Sequence, residues 1–474
     1  MVPRYKALLA ALSLLLLVAA PHLANNRIEP RGEYPAGSPQ IAIPSVKRDL
    51  LLNELQLMVL SQPGTGNVTA HLRVNSGAMF DLAGKGGLAD LTAGMLLRSA
   101  KGLAAKDLSE FLNQQGLTVN IKVGWDSTDI TISGPAAALE SILDLFGRLV
   151  VDPSFGQAEL DAFKAARLKE LSSEKASPVE LARDTALETL YGKYPLGRPV
   201  HGTADSIAKI TRNDVVYYHN RFYIANDAEL AVQGDVIAEE VTKLARAKLG
   251  IWKKGEKVPA TFLPPEPLGS RRIVVVDRTE SSDAVLVLAG HGISRRANDY
   301  LACAVMMRLL ESTVGRTASG SASGAPLSRV KTRLEARYLP GPLLVALECP
   351  ADNAAAAAQA VLDAMERLKS GAIPPEELER ARQTVISSYA QDTANIEGQV
   401  AALFDIEQYG LGRDYMMNFG ARVAVVTADE VKSAAQKHLN SAAVAVAVIG
   451  PAATLAESLK KFGHVSIVGG RQNF

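Results

Sequence analysis

Few residues in this chain are spaced for catalysis. Seven histidines are scattered from His22 to His464. No two stand as HxxxH or HxxEH, the spacing that puts paired imidazoles on one helix face. The two cysteines, Cys303 and Cys349, occur without a CxxC or a local Cys/His cluster. This excludes a disulfide-stapled fold and a cysteine-based zinc site. Both lie in apolar stretches, which predicts buried, inert thiols. The run Gly320 to Gly324 has Ala322 where a GxSxG elbow needs its nucleophile. Neither a P-loop nor a GxGxxG occurs. One segment looks able to hold a ligand. From Gly315 to Pro326 it carries Gly315, Gly320 and Gly324, four small hydroxyl residues, and Arg316 as its only charge. That composition predicts a mobile loop with exposed backbone N–H groups. It reads either as a ligand-holding element or as a plain connector.

The elements around these residues repeat. Leu139, Ile142, Leu143, Phe146 and Leu149 follow the i, i+3, i+4, i+7 spacing of one buried helix face. Ala358, Val361, Leu362, Met365 and Leu368 do so again 219 residues later. Glu159-Leu160 recurs as Glu377-Leu378 at offset 218, and Thr211 to Val215 as Thr427 to Val431 at offset 216. Ala228 to Gly234 recurs as Val444 to Gly450, again at 216. Each half opens with alternating strand-like stretches, 55–60 and 67–75 in the first, 272–277 and 284–289 in the second. Helices over about 87–99 and 297–311 follow, then more strands, the amphipathic helix, further helices and a closing strand. The order predicts an α+β fold of two duplicated halves, each an antiparallel-rich sheet with helices packed on one face. The expected domains are 41–250 and 270–474, joined by the Pro-rich segment 251–269, a stiff extended linker.

Composition narrows the function. Of 474 residues, 47% are apolar and 21% charged, as in a folded globular protein. The 51 basic and 50 acidic residues leave a net charge of +1, against a dedicated nucleic-acid binder. Arg4 and Lys6 precede an apolar run from Ala7 to Ala20 broken only by Ser13, the pattern of an export signal. Val18-Ala19-Ala20 and His22-Leu23-Ala24 are alternative cleavage places. An uncleaved anchor over 7–24 is the third outcome and would give membrane association. Residues 1–24 are thus expected to be a signal peptide or anchor and 25–40 a polar linker. The expected location is the bacterial periplasm, with inner-membrane anchoring as the variant.

The stretch Gly87 to Leu96 (GLADLTAGML) resembles G-L-A-H-F-L-E-H-M-L of the pitrilysin/insulinase-type zinc metallopeptidases, which include the mitochondrial processing peptidase. Pro195 to Gly202 resembles that family's H-P-L-G-x-P-x-x-G. Ile210, Thr211 and Asp214, followed by Tyr223, Asn226 and Gly234-Asp235, resemble its I-T-x-x-D, Y-x-x-x-N and G-D. The resemblance covers residues 42 to about 452. In that family HxxEH holds zinc and supplies the general base, and a later helix gives a Glu as third ligand. Here the three motif positions are Asp90, Ala93 and Gly94, and only Glu170 matches the third ligand. The resemblance therefore implies a chain with no catalytic residues and no metal of its own. It would pair with an active, HxxEH-bearing subunit that carries the zinc, and help bind peptide. The Gly315–Pro326 loop is similar in placement to the glycine-rich loop of the processing peptidase's non-catalytic subunit, with Gly315, Arg316, Gly320 and Gly324 as its candidate contacts. The family's Arg-Tyr pair is represented only by Arg333 and Tyr338, at a shorter spacing. The alternative role is a scaffold subunit of a membrane complex, similar to the cytochrome bc core proteins.

Overall fold

Apolar runs such as Leu57 to Leu60 do not alternate with polar residues, so a strand built from them must be covered on both faces. The computed structural model shows how. It describes residues 45–98, 100, 105–173, 177–258, 262–319 and 328–469. The expected signal or anchor, the 25–40 linker and loop residues Gly320 to Pro326 lie outside the described residues. The first half forms strands β1 (Lys47–Leu50), β2 (Gln56–Ser61), β3 (Asn67–Val74), β4 (Thr118–Val123), β5 (Thr128–Pro135) and β6 (Ala228–Gly234). The second forms β7 (Arg272–Asp277), β8 (Asp283–His291), β9 (Ser328–Leu334), β10 (Pro342–Pro350), β11 (Ala445–Gly450) and β12 (His464–Val468). The sheet orders are β1-β2-β6-β3-β5-β4 and β12-β7-β11-β8-β10-β9. Five strands map one to one in the same order. β2 and β6 pair in parallel, as do β7 and β11. The sixth strand differs: β1 joins its sheet antiparallel, β12 parallel.

Each half keeps its own helices on one face of its sheet. Helix Leu139–Val150 buries Leu139, Ile142, Leu143, Phe146 and Leu149. Helix Ala354–Ser370 buries the repeated set. It starts four residues before the repeated face, within the alanine run 354–358, where helix propensity is highest.

The opposite faces are covered by exchange. Helix Pro178–Tyr191, capped by the Ser177 hydroxyl accepting from the Glu180 N–H, belongs to the first half. Its Leu181, Ala182, Ala186, Leu187 and Leu190 pack instead on Val287, Ala289, Ala445, Ala447 and Ile449 of the second sheet. Helix Ile396–Tyr409 of the second half returns the arrangement, with Val400, Leu403 and Phe404 in one core with Met58, Leu60 and Ala231 of the first sheet. Leu57, Val59, Leu230 and Val232, the alternate positions, face the first half's own helices.

Polar groups clamp the same seam. Arg73 donates to Asp129 Oδ1 at 2.6 Å within its sheet and to Asp405 Oδ1 at 2.9 Å across to the second half. Arg183 forks onto both oxygens of Glu335. The Tyr338 N–H and the Tyr409 hydroxyl both donate to Asp126 Oδ2. The 251–269 join is tied down along part of its length. Asn226 exchanges two hydrogen bonds with Gly255, and the Phe262 ring packs near Phe80 and Tyr194.

Glu229 on β6 makes this seam pH-sensitive. It is 2% exposed, and burial pushes its carboxyl up to about 8 despite Arg73 nearby. The folded state then holds a proton that the unfolded chain releases near its ordinary 4.5. That contribution is complete below the unfolded value and is lost as pH rises through about 8. Asp81, pushed up to about 7 by burial, acts in the same direction. We expect the thermal midpoint to fall from pH 5 to pH 9, by at most the equivalent of about 7 kcal/mol from these two groups, offset below pH 6.5 by His71 and His219, which burial pushes down to about 4. Glu229→Gln should remove the larger part of that fall, read by calorimetry across the range. An unchanged slope in the variant would refute the assignment.

Candidate functional site

The site expected from sequence is built on helix Leu88–Leu96. Asp81 fixes its start, with its two oxygens accepting from the Gly87 and Ala89 N–H groups at 2.7 Å each. Gly87 is left-handed at φ 87°, and a Cβ there would lie 2.7 Å from the His201 carbonyl oxygen. Only glycine allows this helix start to touch the 195–202 loop so closely. The contact explains why the two matched motifs occur together.

Asp90 projects from the helix into an ionic triad. Arg167, on helix Gln157–Ser173, donates to Asp90 Oδ2 at 3.1 Å and to Glu170 Oε2 at 3.0 Å. His201 Nδ1 lies 3.2 Å from Asp90 Oδ1. A guanidinium thus occupies the space between the two carboxylates that could have shared a cation. Ala93 is buried and brings no base. At Gly94 the place of a side chain is filled. A Cβ there would come within 2.4 Å of Phe163 Cζ. The Phe163 ring carries the Arg98 guanidinium 3.8 Å above its face, and Arg98 donates to the Gly94 carbonyl.

These residues do not fit zinc. Their carboxylates are neutralised by an arginine, a phenylalanine stands where a second imidazole would enter, and the base is missing. Among the described residues Asp90, Glu170 and His201 do not converge to metal-ligand distances. Sequence reading identified Asp90 and Glu170 but missed Arg167 and Phe163, which close the site. Their signal was position. Phe163 and Arg167 lie seven and three residues before Glu170 and share its helix face.

The expected 315–326 loop needs correction at its start. Helix Tyr300–Ser319 runs eight residues beyond the expected end at 311, so Gly315 and Arg316 are helical. Thr313 and Val314 are buried, which holds the last turns down. Arg316 donates to Glu377 Oε2 at 2.8 Å on the helix Pro375–Asp392. Its charge is therefore engaged by a carboxylate of its own chain.

The duplication places a second feature. Helices Tyr300–Ser319 and Pro375–Asp392 with β9 correspond to helices Leu88–Leu96 and Gln157–Ser173 with β4. Where the first half is plugged, the second has an open pocket of about 500 Å³ lined by Tyr300, Met307, Arg333, Arg337 and Tyr389. Among the described residues Arg333 makes no ion pair. Tyr338 turns away, its N–H on Asp126 and its hydroxyl near Arg296. β4 and β9 are edge strands, each paired on one side only within its sheet.

Two family descriptions match the chain: Insulinase (Peptidase family M16) over residues 57–204 and Peptidase M16 inactive domain over residues 209–385. The chain belongs to this pitrilysin/insulinase-type family. An uncharacterized zinc protease of Rickettsia bellii is 22% identical over 244 residues, 52% of this chain and 58% of that protein. Matched regions of this kind span about half the length of the curated relatives. A crystal structure described as a peptidase M16 inactive domain, from Pseudomonas fluorescens, superposes with a TM-score of 0.76 at 23% identity. It covers 86% of this chain and 98% of its own. The first half of the periplasmic protease PqqL from Escherichia coli gives 0.72 at 16% identity, over 89% and 95%. At these identities the structural likeness speaks for the fold.

Proposed function

We propose that this chain is a non-catalytic, peptidase-like subunit that holds extended peptide for an active, zinc-bearing partner of the same family. One observation carries the reading. The catalytic position is filled by Arg167 and Phe163, while β4 beside it keeps an unpaired edge. β4 runs along the helix that bears Asp90 and presents an unpaired backbone edge, to which an extended peptide can add as a further strand. β9 is the corresponding edge strand of the second half, next to the Arg333 pocket, but its Thr332 N–H is taken by the Glu311 carboxylate. The chain supplies binding surface and its partner supplies the metal, the base and bond cleavage. The matched inactive-domain description and the periplasmic neighbour support this context, with export through residues 1–24 and Gly320 to Pro326 as an additional peptide contact. Among the described residues no helix is long and apolar enough to cross a membrane.

The test is co-expression with an HxxEH-bearing homologue from the same genome. Light scattering after size exclusion should show a 1:1 pair, and peptide cleavage by the pair should be at least tenfold above that of the partner alone. The isolated chain should cleave nothing in a peptide library. A chain that stays monomeric beside its homologue and sediments with membrane complexes would replace this reading with the scaffold one.

A further inference from the structure

Away from the first-half helix, one group of side chains has the composition of a transition-metal site. The ligand atoms of Asp299, Cys303 and His438 all lie within 4.8 Å of one another. Asp299 and Cys303 are four residues apart at the start of helix Tyr300–Ser319, the spacing that stacks side chains on one helix face. His438 ends helix Ala428–His438, which packs against the first. Its Nε2 lies 2.8 Å from Asp299 Oδ2. This set departs from the sequence expectation that excluded a cysteine-based zinc site, because the 135 residues between Cys303 and His438 hide it from any sequence window.

We infer that Asp299, Cys303 and His438 bind one Zn²⁺ in the second half, with water in the open fourth position. A carboxylate oxygen, a thiolate sulfur and an imidazole nitrogen form a donor set suited to zinc. Zinc bonds of about 2.0–2.3 Å place tetrahedral donors roughly 3.3–3.7 Å apart. The Asp–His pair lies at 2.8 Å and the sulfur within 4.8 Å of both, so a metal would part the first two slightly and draw the sulfur in. Two features hold the metal-free state together. Lys437 Nζ sits 2.9 Å from the same Asp299 oxygen, on a side chain that is 65% exposed and free to swing into water. Burial pushes the Cys303 thiol up to about 12, so without a cation it keeps its proton. The exchange balances without redox chemistry. One Zn²⁺ enters, Cys303 releases one proton to solvent, and the hydrogen that His438 Nε2 donates to Asp299 exchanges through solvent to Nδ1, which frees Nε2 to ligate.

The experiment titrates Co²⁺ into chelator-stripped full-length chain. The expected result is a thiolate-to-cobalt charge-transfer band with the visible bands of tetrahedral Co²⁺, abolished by one equivalent of Zn²⁺. Cys303→Ser should remove the charge-transfer band. His438→Gln, which leaves the buried helix face intact, should weaken binding by more than about 100-fold, beyond the effect of an outer-shell change. Lys437→Ala should tighten binding by removing the competing ammonium. Asp90→Ala should change nothing. A wild-type titration without the sulfur band, a band that survives Cys303→Ser, or unchanged affinity in His438→Gln would each overturn the assignment.

Discussion

Restoring the family's motif by Asp90→His, Ala93→Glu and Gly94→His is expected to give a chain that binds no metal at this helix and unfolds at markedly lower temperature. The reason is steric before it is chemical. A Cβ at position 94 would lie 2.4 Å and 2.6 Å from two carbons of the Phe163 ring. Phe163 is partly buried and carries Arg98 on its face, so making room means displacing the ring and giving up that contact. Overpacking of this kind costs about 1–3 kcal/mol, and more when the imidazole follows the Cβ. Ala93 is 1% exposed, so a glutamate there brings a carboxylate into the core at a further cost of several kcal/mol. Against a total stability of about 5–15 kcal/mol, the triple variant should be barely folded. Adding Phe163→Ala and Arg167→Ala removes the obstruction and the competing cation, and should regain part of the lost stability and admit one metal ion beside Glu170. Thermal melts and metal content, both in a Cys303→Ser background, read the result. A stable triple variant that binds zinc without the two extra changes would show that Arg167 and Phe163 do not close the site.

That outcome bears on what the sequence could reveal. The resemblance of Gly87 to Leu96 to the family's stretch located the loss of the motif at Asp90, Ala93 and Gly94, because such a motif is contiguous in sequence. It could not show what replaced the metal. Arg167 and Phe163 reach the site from a helix some 70 residues later, and neither residue type signals that role. The duplicated faces at 139–149 and 358–368 were legible for the same local reason, and both halves fold with them buried. The end of helix Tyr300–Ser319 was not. Gly315 and the small residues after it read as loop, but buried Val314 and the Arg316–Glu377 pair extend the helix against that composition. Asp299, Cys303 and His438 lie at the far limit of sequence reading, since their proximity is created only by helix packing.

The exchange of helices across the seam predicts that neither half folds alone. Leu181, Ala186, Leu187 and Leu190 of helix Pro178–Tyr191 show an amphipathic pattern that announces a buried face but not its partner. Their partner is the second sheet. Cutting the chain in the 259–261 region should therefore leave two fragments that each expose one sheet face and one orphaned apolar helix. Burial of a Leu, Val or Phe side chain is worth about 1.5–3 kcal/mol, so the three leucines named here and the Val400, Leu403 and Phe404 set opposite forfeit about 9–18 kcal/mol, as much as the stability of a typical domain. Each fragment expressed alone should aggregate or behave as a molten globule that binds hydrophobic dye. The two expressed together should assemble into a soluble complex with the circular dichroism of the intact chain. A single change tests the same seam in the full chain. Leu187→Asp places a charge 3% exposed against the second sheet, and should cost more than about 4 kcal/mol. If residues 45–258 alone give a cooperative melt and sharp amide resonances, the exchange is an accessory contact and the halves are independent domains. If only the co-expressed fragments do so, the fold is one unit, and the helix exchange is what unites the halves.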